Sequence, residues 1–505
     1  MTSLGAKAMG GVAAAAVALG VAQLVGVAFG PEADVRTAVG ASVIELTPGP
    51  VKDWAIDTFG TADKLALTVM VLMAIAVIAA FAGMAESRRR PIGSAAIAAA
   101  AGVGCAAVLS RAGATAVDLI PTVIGAACGI GVLRLLDSDR FGDQAAGSDT
   151  DEGRRRSLVT LGLLAVGAAG GVAGVVIGRL TSSVAGDRDA FTLPRIDRAA
   201  RAIPEAVQPK GVELPSFVTP NTDFYRIDTA LTVPQLSRQD WRLRIHGMVD
   251  REVTLDYQDL DRFEVVEQVM TLTCVSNPVG GDLISNGVWT GYRVRDLLAE
   301  AGVQTDADMV LSMSVDGWTA GTPVEALTAD DALLAVGLNG EPLPIEHGYP
   351  ARLVVPGLYG YVSATKWVTG LELTRFDRAE AYWTRLGWSA RGPIKTASRI
   401  DVPRSGQDVP VGPVTFGGVA WAQSRGVRVV EVQIDDGDWQ QAELGEAYSG
   451  DTWRLWSFPW QARETGFHTI TVRATDDSGY TQTSERVDPV PDGATGWHSI
   501  TFAVR

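Results

Sequence analysis

The chain has 505 residues, with 58 Asp+Glu against 43 Lys+Arg and a formal net charge of −15. That acidic balance excludes a nucleic-acid binder, which needs a cationic face toward phosphates, and 47% hydrophobic with 20% charged residues excludes wholesale disorder. A mean hydropathy of +0.15 beside 13 Trp and 24 Pro means that two unlike halves are being averaged.

The first half reads as an α-helical transmembrane bundle. Ala8–Phe29, Leu65–Met84, Ile92–Ser110, Val117–Leu136 and Leu158–Leu180 are apolar stretches, each near the ~20 residues that cross a bilayer. Glycines at four-residue spacing (Gly167, Gly171; Gly170, Gly174, Gly178) let helices approach closely in lipid. Asp34–Gly60 is long for a connector, and a short interfacial helix there is left open. If all five stretches cross, Arg88-Arg89-Arg90 and Arg154-Arg155-Arg156 share one side, which the bias of Lys and Arg toward cytoplasmic loops makes the inside. The chain is then expected to be a multi-pass protein of the cell membrane, with everything after Leu180 outside. Arg155-Arg156-Ser157-Leu158-Val159 fits a twin-arginine export signal and, equally, ordinary inside-positive charge.

The second half is polar. Residues 187–214 read as a linker punctuated by Pro194, Pro204 and Pro209. Trp241–Gly247 alternates as a strand, and Tyr292–Gly302 reads as a short amphipathic helix ended by glycine. From about Ser389 the texture changes to short strands at Val414–Trp421, Val427–Ile434, Trp453–Phe458, Thr469–Ala474 and Ser499–Val504. That regularity predicts a β-sandwich.

Of three cysteines, Cys105 and Cys128 fall in apolar stretches, leaving Cys274 without a disulfide partner in the polar half. Spacing alone allows either a buried small hydrophobe or a functional thiol. The histidines His246, His347, His468 and His498 show no zinc-site spacing, and no glycine-rich phosphate loop occurs. A Cys274–His347 pair would suit a hydrolase.

The surroundings of Cys274 carry more. Thr271-Leu-Thr-Cys-Val-Ser-Asn277 is followed by Asn286-Gly-Val-Trp-Thr-Gly291, Asn339-Gly-Glu-Pro-Leu-Pro344, His347-Gly-Tyr-Pro-Ala-Arg352, Val355-Pro-Gly357 and Lys366-Trp367. In that order these resemble the molybdopterin domain of the sulfite oxidase family. Thr219-Pro-Asn-Thr-Asp-Phe-Tyr225 resembles its entry segment. Gly418-Val-Ala-Trp421, Trp453-Arg-Leu-Trp456 and Gly496-Trp-His498 resemble its C-terminal immunoglobulin-like dimerisation domain.

The resemblance implies an α+β molybdopterin-binding catalytic domain over 215–380 and an all-β immunoglobulin-like sandwich over 381–505, behind a transmembrane region over 1–186. It implies a molybdenum–molybdopterin cofactor, with Cys274 as the metal ligand, since a thiolate is a soft donor suited to a redox metal. Asn221, Phe224, Tyr225, His347, Arg352 and Lys366 would hold the cofactor, the forked guanidinium of Arg352 on its phosphate. Trp289 reads as core or as cofactor wall.

Departures from the family bear on substrate. Ile227 and Val279 stand where sulfite oxidases carry arginines, Trp318 aligns with their active-site Tyr, and Arg425 keeps their dimer-domain Arg. A neutral substrate pocket with Arg425 as lone donor is expected, which disfavours sulfite. Phe224-Tyr225 resembles instead the family's periplasmic reductases of protein methionine sulfoxide. No histidine precedes residue 181, so the helices cannot ligate a haem through a His pair. The electron partner is therefore a separate cytochrome, quinone or soluble carrier, and a homodimer is expected from the C-terminal domain. The remaining alternative is a non-catalytic immunoglobulin-like binding module on a membrane anchor.

Overall fold

The computed structural model describes residues 3–47, 51, 54, 58, 63–111, 114–138 and 151–505. The side chains of Arg154, Arg155 and Arg156 and part of Asp34–Gly60 lie outside the described residues. The chain divides into two compact units, Met1–Ser183 with Ala230–Gln235, and Val184–Thr229 with Leu236–Arg505.

The first unit is helical: α1 (Ser3–Gly26), α2 (Val35–Leu46), α3 (Asp63–Ala85), α4 (Ile92–Leu109), α5 (Ile120–Leu136) and α6 (Asp151–Ser182). Among the described residues, five spans are long and apolar enough to cross a membrane: Leu4–Gly26, Ala66–Ala85, Ile92–Leu109, Ala116–Leu136 and Ser157–Ala190. Helix α1 packs on α3, α5 and α6, and glycine makes this possible. A Cβ added at Gly20 would lie 2.2 Å from the Gly167 carbonyl oxygen, and one at Gly11 1.9 Å from that of Ala79, so the backbones themselves touch. The open question at Asp34–Gly60 resolves into α2, whose 12 residues are capped by the Asp34 carboxylate accepting from the Arg36 and Thr37 N–H groups.

The second unit begins with a short helix, α7 (Ala185–Ala190), and carries an antiparallel sheet and a mixed sheet followed by a sandwich. One sheet orders β8 (Glu341–Pro342), β7 (Leu333–Leu338), β4 (Ile284–Arg293) and β3 (Val265–Thr273), with β9 (Arg352–Val354) also pairing β7. The other orders β2 (Val253–Asp256), β1 (Arg242–Gly247), β10 (Val368–Thr374), β5 (Met309–Ser314) and β6 (Thr319–Pro323). Trp241, Leu243, Ile245, Leu297, Leu334, Val336 and Leu371 fill the core between them. The expected helix after Tyr292 is α8 (Val294–Ala301), one turn shorter than the pattern suggested. Tyr292 and Arg293 finish β4 instead, and Gly302 ends the helix at φ 71. Segment 187–214 packs on this unit, with Val207 buried and Glu446 N–H donating to the Ala206 carbonyl.

The sandwich comprises one sheet of β11 (Ala397–Val402), β13 (Gly412–Trp421), β17 (Arg454–Ala462) and β16 (Glu443–Leu444). The facing sheet has β12 (Asp408–Val409), β19 (His498–Val504), β18 (Gly466–Asp476), β14 (Val427–Ile434) and β15 (Gln440–Gln441). Phe416, Trp456, Ile470, Val472 and Phe502 interleave between the sheets. All five expected strands are present, with ends shifted by up to four residues.

Candidate active site

Cys274 is the first residue beyond β3, in the hairpin that turns into β4. Its N–H donates to the Leu283 carbonyl (3.0 Å), continuing the ladder one step past the Thr273–Ile284 pair. The Asn277 side-chain oxygen closes the same loop by accepting from Leu283 N–H at 3.0 Å. The sandwich braces it from behind. Arg399 donates to the Gly281 carbonyl (2.8 Å), and Gly280, at φ 81, runs so close to the His498 ring that an added Cβ would lie 2.3 Å from it. The thiol is buried. Burial pushes its pKa up, while the N–H and hydroxyl of Ser276 pull it back toward the thiolate.

The thiol opens on a cavity of about 950 Å³ of empty space, partly open to solvent. Phe224 to Thr229, the end of β3 with Ser276, the β5–β6 turn, His347, Arg352, Gly360, Tyr361, Ala364, Lys366, Trp367, Trp383 and Trp388 line it. Of the residues singled out in the sequence, it gathers Cys274, Phe224, Tyr225, His347, Arg352, Lys366, Trp318 and Ile227.

Others stand elsewhere. Asn221 is outside the lining: its amide donates to the Leu338 carbonyl (3.3 Å), and its oxygen accepts from Asn339 at 2.8 Å. Arg425 is also outside, with Nε on Asp476 (2.9 Å) and Nη2 on the Ile394 carbonyl (2.8 Å). Val279 borders a separate small pocket against Trp421 and Gly496. Trp289 is core, with no exposed surface and its indole N–H on the Met270 carbonyl (3.2 Å).

The lone donor expected for a neutral substrate pocket, Arg425, is not in the lining. Arg226, unremarked in the sequence, lines the cavity beside Arg352 and Lys366. Buried Asp228 accepts from both Arg226 Nε (2.8 Å) and Lys366 Nζ (2.9 Å). Arg352 donates to the His347 carbonyl (3.0 Å) and the Ala364 carbonyl (3.3 Å), its guanidinium 5.3 Å above the Trp289 ring. Burial lowers Arg352 to about 10 and, against the pull of Asp228, Lys366 to about 8. Burial, then Arg352, Lys366 and Arg226, push His347 down to about 3, so its imidazole is neutral. Its ring packs edge-on against Phe224, 5.6 Å between centroids. Burial and the neighbouring Cys274 push the Tyr225 phenol well up, so it keeps its proton.

Arg226 and Asp228 flank Ile227, the position aligned with the family's arginine, and carry no motif of their own. Tyr361, Trp383 and Trp388 also line the cavity. Their signal was an aromatic cluster, Tyr382-Trp383 with Trp388, in a stretch without strand alternation.

The donor set fits a molybdenum-bearing pterin: one soft sulfur ligand, three cations for a phosphate, and polar and aromatic groups around one cavity. A family model described as the oxidoreductase molybdopterin binding domain matches residues 230–383. The uncharacterised oxidoreductase YuiH of Bacillus subtilis is 37% identical over 152 residues, 30% of this chain and 74% of that protein. The mitochondrial sulfite oxidase of Homo sapiens is 31% identical over 325 residues, 54% of this chain and 59% of that enzyme. The chain belongs to the sulfite oxidase family. As a member, it is a molybdenum-dependent oxidoreductase with a molybdopterin cofactor, which works with a substrate and an electron-transfer partner. The crystal structure of sulfane dehydrogenase SoxCD from Paracoccus pantotrophus has the same fold, with a TM-score of 0.50 at 24% identity over 62% of this chain and 91% of that one.

Proposed function

We propose that this family member is a membrane-anchored enzyme, its catalytic unit outside the cell membrane, that carries out oxygen-atom and two-electron chemistry on a small sulfur- or nitrogen-containing substrate. The observation carrying the reading is the buried Cys274 thiol, held at the end of β3 and opening on a cavity flanked by Arg352, Lys366 and His347. The bound cofactor supplies the redox chemistry. Cys274 ligates the metal, with Ser276 N–H and Oγ favouring its thiolate. Arg352 and Lys366 hold the pterin phosphate as charged donors. Neutral His347 and Phe224 wall the pterin, and protonated Tyr225 offers a hydrogen bond without adding charge. Trp318 closes the reaction side, and the aromatic residues keep bulk water from it.

The five apolar spans and the arginine clusters support anchoring and orientation, and the absence of histidine before residue 181 supports a separate electron carrier. We assign Arg425 to tying β18 to the segment that enters β11, through Asp476, Ile394 and Thr396, and the domain boundaries follow the sequence: membrane region 1–186, linker 187–214, catalytic domain 215–380 and dimerising sandwich 381–505. Molybdenum analysis of the purified protein, followed by turnover of S-oxides, N-oxides and sulfite with a redox dye, tests the reading. A metal-free, pterin-free preparation from molybdenum-replete cells would overturn it.

Arg226 favours a second reading, in which an anion such as sulfite is the substrate. Its guanidinium lines the cavity, although Nε is engaged by Asp228. Loss of sulfite turnover on Arg226→Gln, with sulfoxide turnover unchanged, would support that reading.

A further inference from the structure

The cavity has a wall that no cofactor contact requires. Trp383 and Trp388 flank the turn Thr384–Leu386, and Trp388 N–H donates to the Trp383 carbonyl at 3.1 Å. Their rings stand 6.2 Å apart at 73°. Tyr361, from the segment between β9 and β10, places its ring 5.8 Å from Trp388 and donates its phenol proton to the Ser389 carbonyl at 2.7 Å. The three rings form one continuous surface, fixed by backbone hydrogen bonds at both ends. On the β5–β6 turn, Trp318 joins the lining together with Asp316, whose Oδ1 accepts from Trp318 N–H at 3.1 Å. Among the described residues no cation pairs with Asp316.

The charges in the cavity are therefore divided. Arg352 donates to the His347 carbonyl and Lys366 to the Glu346 carbonyl, and Asp228 joins Lys366 to Arg226, so these cations gather at the His347 loop, whereas the residues Tyr361, Trp383, Trp388, Trp318 and Asp316 include no cation. An inorganic dianion would gain no donor from the ring faces and would meet the Asp316 carboxylate. An apolar group would bury against the rings.

We propose that Tyr361, Trp383 and Trp388 are specificity-determining residues, and that the substrate is an organic compound whose reacting sulfur or nitrogen carries an apolar arm laid on this wall. The proposal rests on the reading of the cavity as the molybdenum site and says which member of the broad substrate class enters it.

The test is binding calorimetry on the full-length holoprotein in detergent, with molybdenum content measured on the same sample. The probes are methyl phenyl sulfoxide, dimethyl sulfoxide and sulfate, because a sulfoxide is substrate or product whichever way the reaction runs. Methyl phenyl sulfoxide should bind roughly tenfold or more tightly than either other probe, as burial of a phenyl ring on aromatic neighbours requires. Trp388→Ala and Trp383→Ala should each reduce that preference to about threefold or less, with molybdenum content preserved, and Trp388→Phe should retain most of it. Equal binding of the two sulfoxides, or an undiminished preference in both alanine variants, would overturn the wall. Molybdenum-replete protein without the preference leaves the cofactor reading standing. Metal-free protein that still shows the preference supports the wall and overturns the cofactor.

Discussion

Tyr349 donates its phenolic hydrogen bond to Asp187 at 2.7 Å, tying the loop that carries His347 to α7. Arg238 holds the same carboxylate at 2.8 Å and lies 4.4 Å over the Phe191 ring. The adjoining Arg188 grips the Pro342 and Leu343 carbonyls, each at 2.9 Å. The shoulders of the His347 loop are thus fastened to residues 187–191. Tyr349→Phe removes one hydrogen bond to a charged acceptor, which should cost about 1.5–3 kcal/mol. A lowered melting temperature and faster pterin loss on dilution are expected, and retention equal to wild type would show that the bond is dispensable.

Cys274→Ser should abolish turnover and alter the molybdenum EPR signal, because a serine hydroxyl is a harder, more weakly ionised donor. Cys105→Ser and Cys128→Ser should change neither. Full activity in the Cys274 variant would end the assignment of the ligand.

Arg425 should behave as a brace. Its partner Asp476 is buried. Burial raises that carboxyl, but hydrogen bonds from Ser478, Thr396 and Arg425 together outweigh it and hold the group down at about 2. Arg425→Ala leaves the carboxylate short of its cation, so stability should fall by about 3 kcal/mol with KM unchanged. The Asp476 contribution is complete above about pH 3.8, its unfolded value, and is lost as pH falls toward 2. Chemical denaturation and steady-state kinetics separate this from a catalytic role, in which KM would rise without loss of stability.

His498 gives a different pH window. Burial, then Arg399 and Arg486, lower it from the usual 6.5 to about 4, and its Nδ1 accepts from Ile400 N–H at 3.0 Å. The unfolded chain binds the proton more readily, so stability should decline as pH falls from 6.5 to 4. His498→Asn should flatten that part of the profile. An unchanged slope in denaturation midpoints would show that other groups govern it.

Replacing Arg155 and Arg156 with lysine keeps the charge that sets membrane orientation and removes a twin-arginine signal. Helix topology, read by cysteine-accessibility labelling, should survive while outward delivery of the catalytic unit fails. Unimpaired delivery would discard this export route.

The sequence made legible what local chemistry writes plainly: five apolar runs, the β-sandwich strands, and the Cys274 loop with His347, Arg352 and Lys366. It was less informative where function depends on residues distant in the chain. Arg425 reads as a donor, but only the fold shows that Asp476, Thr396 and Ile394 already occupy it. Arg226 and Asp228 look like surface charges beside Ile227 until Lys366 arrives opposite them, 138 residues later. The aromatic wall needed the segments around Tyr361 and Trp388 brought together, which no periodicity records.

The bracing of β3 also sets an order of events during synthesis. Trp453 N–H donates to Thr271 Oγ1 at 2.8 Å across 182 residues, and Gln423 reaches Thr273 Oγ1 at 2.8 Å across 150. At ribosomal rates of about 5–20 residues per second, Thr271 would wait roughly 9–36 s for its partner to be made. By then the apolar helices are long since translated. The nascent chain therefore commits its hydrophobic part before its metal-ligand loop has a rigid backing, and a chaperone that shields an open cysteine hairpin during that interval would have a defined task.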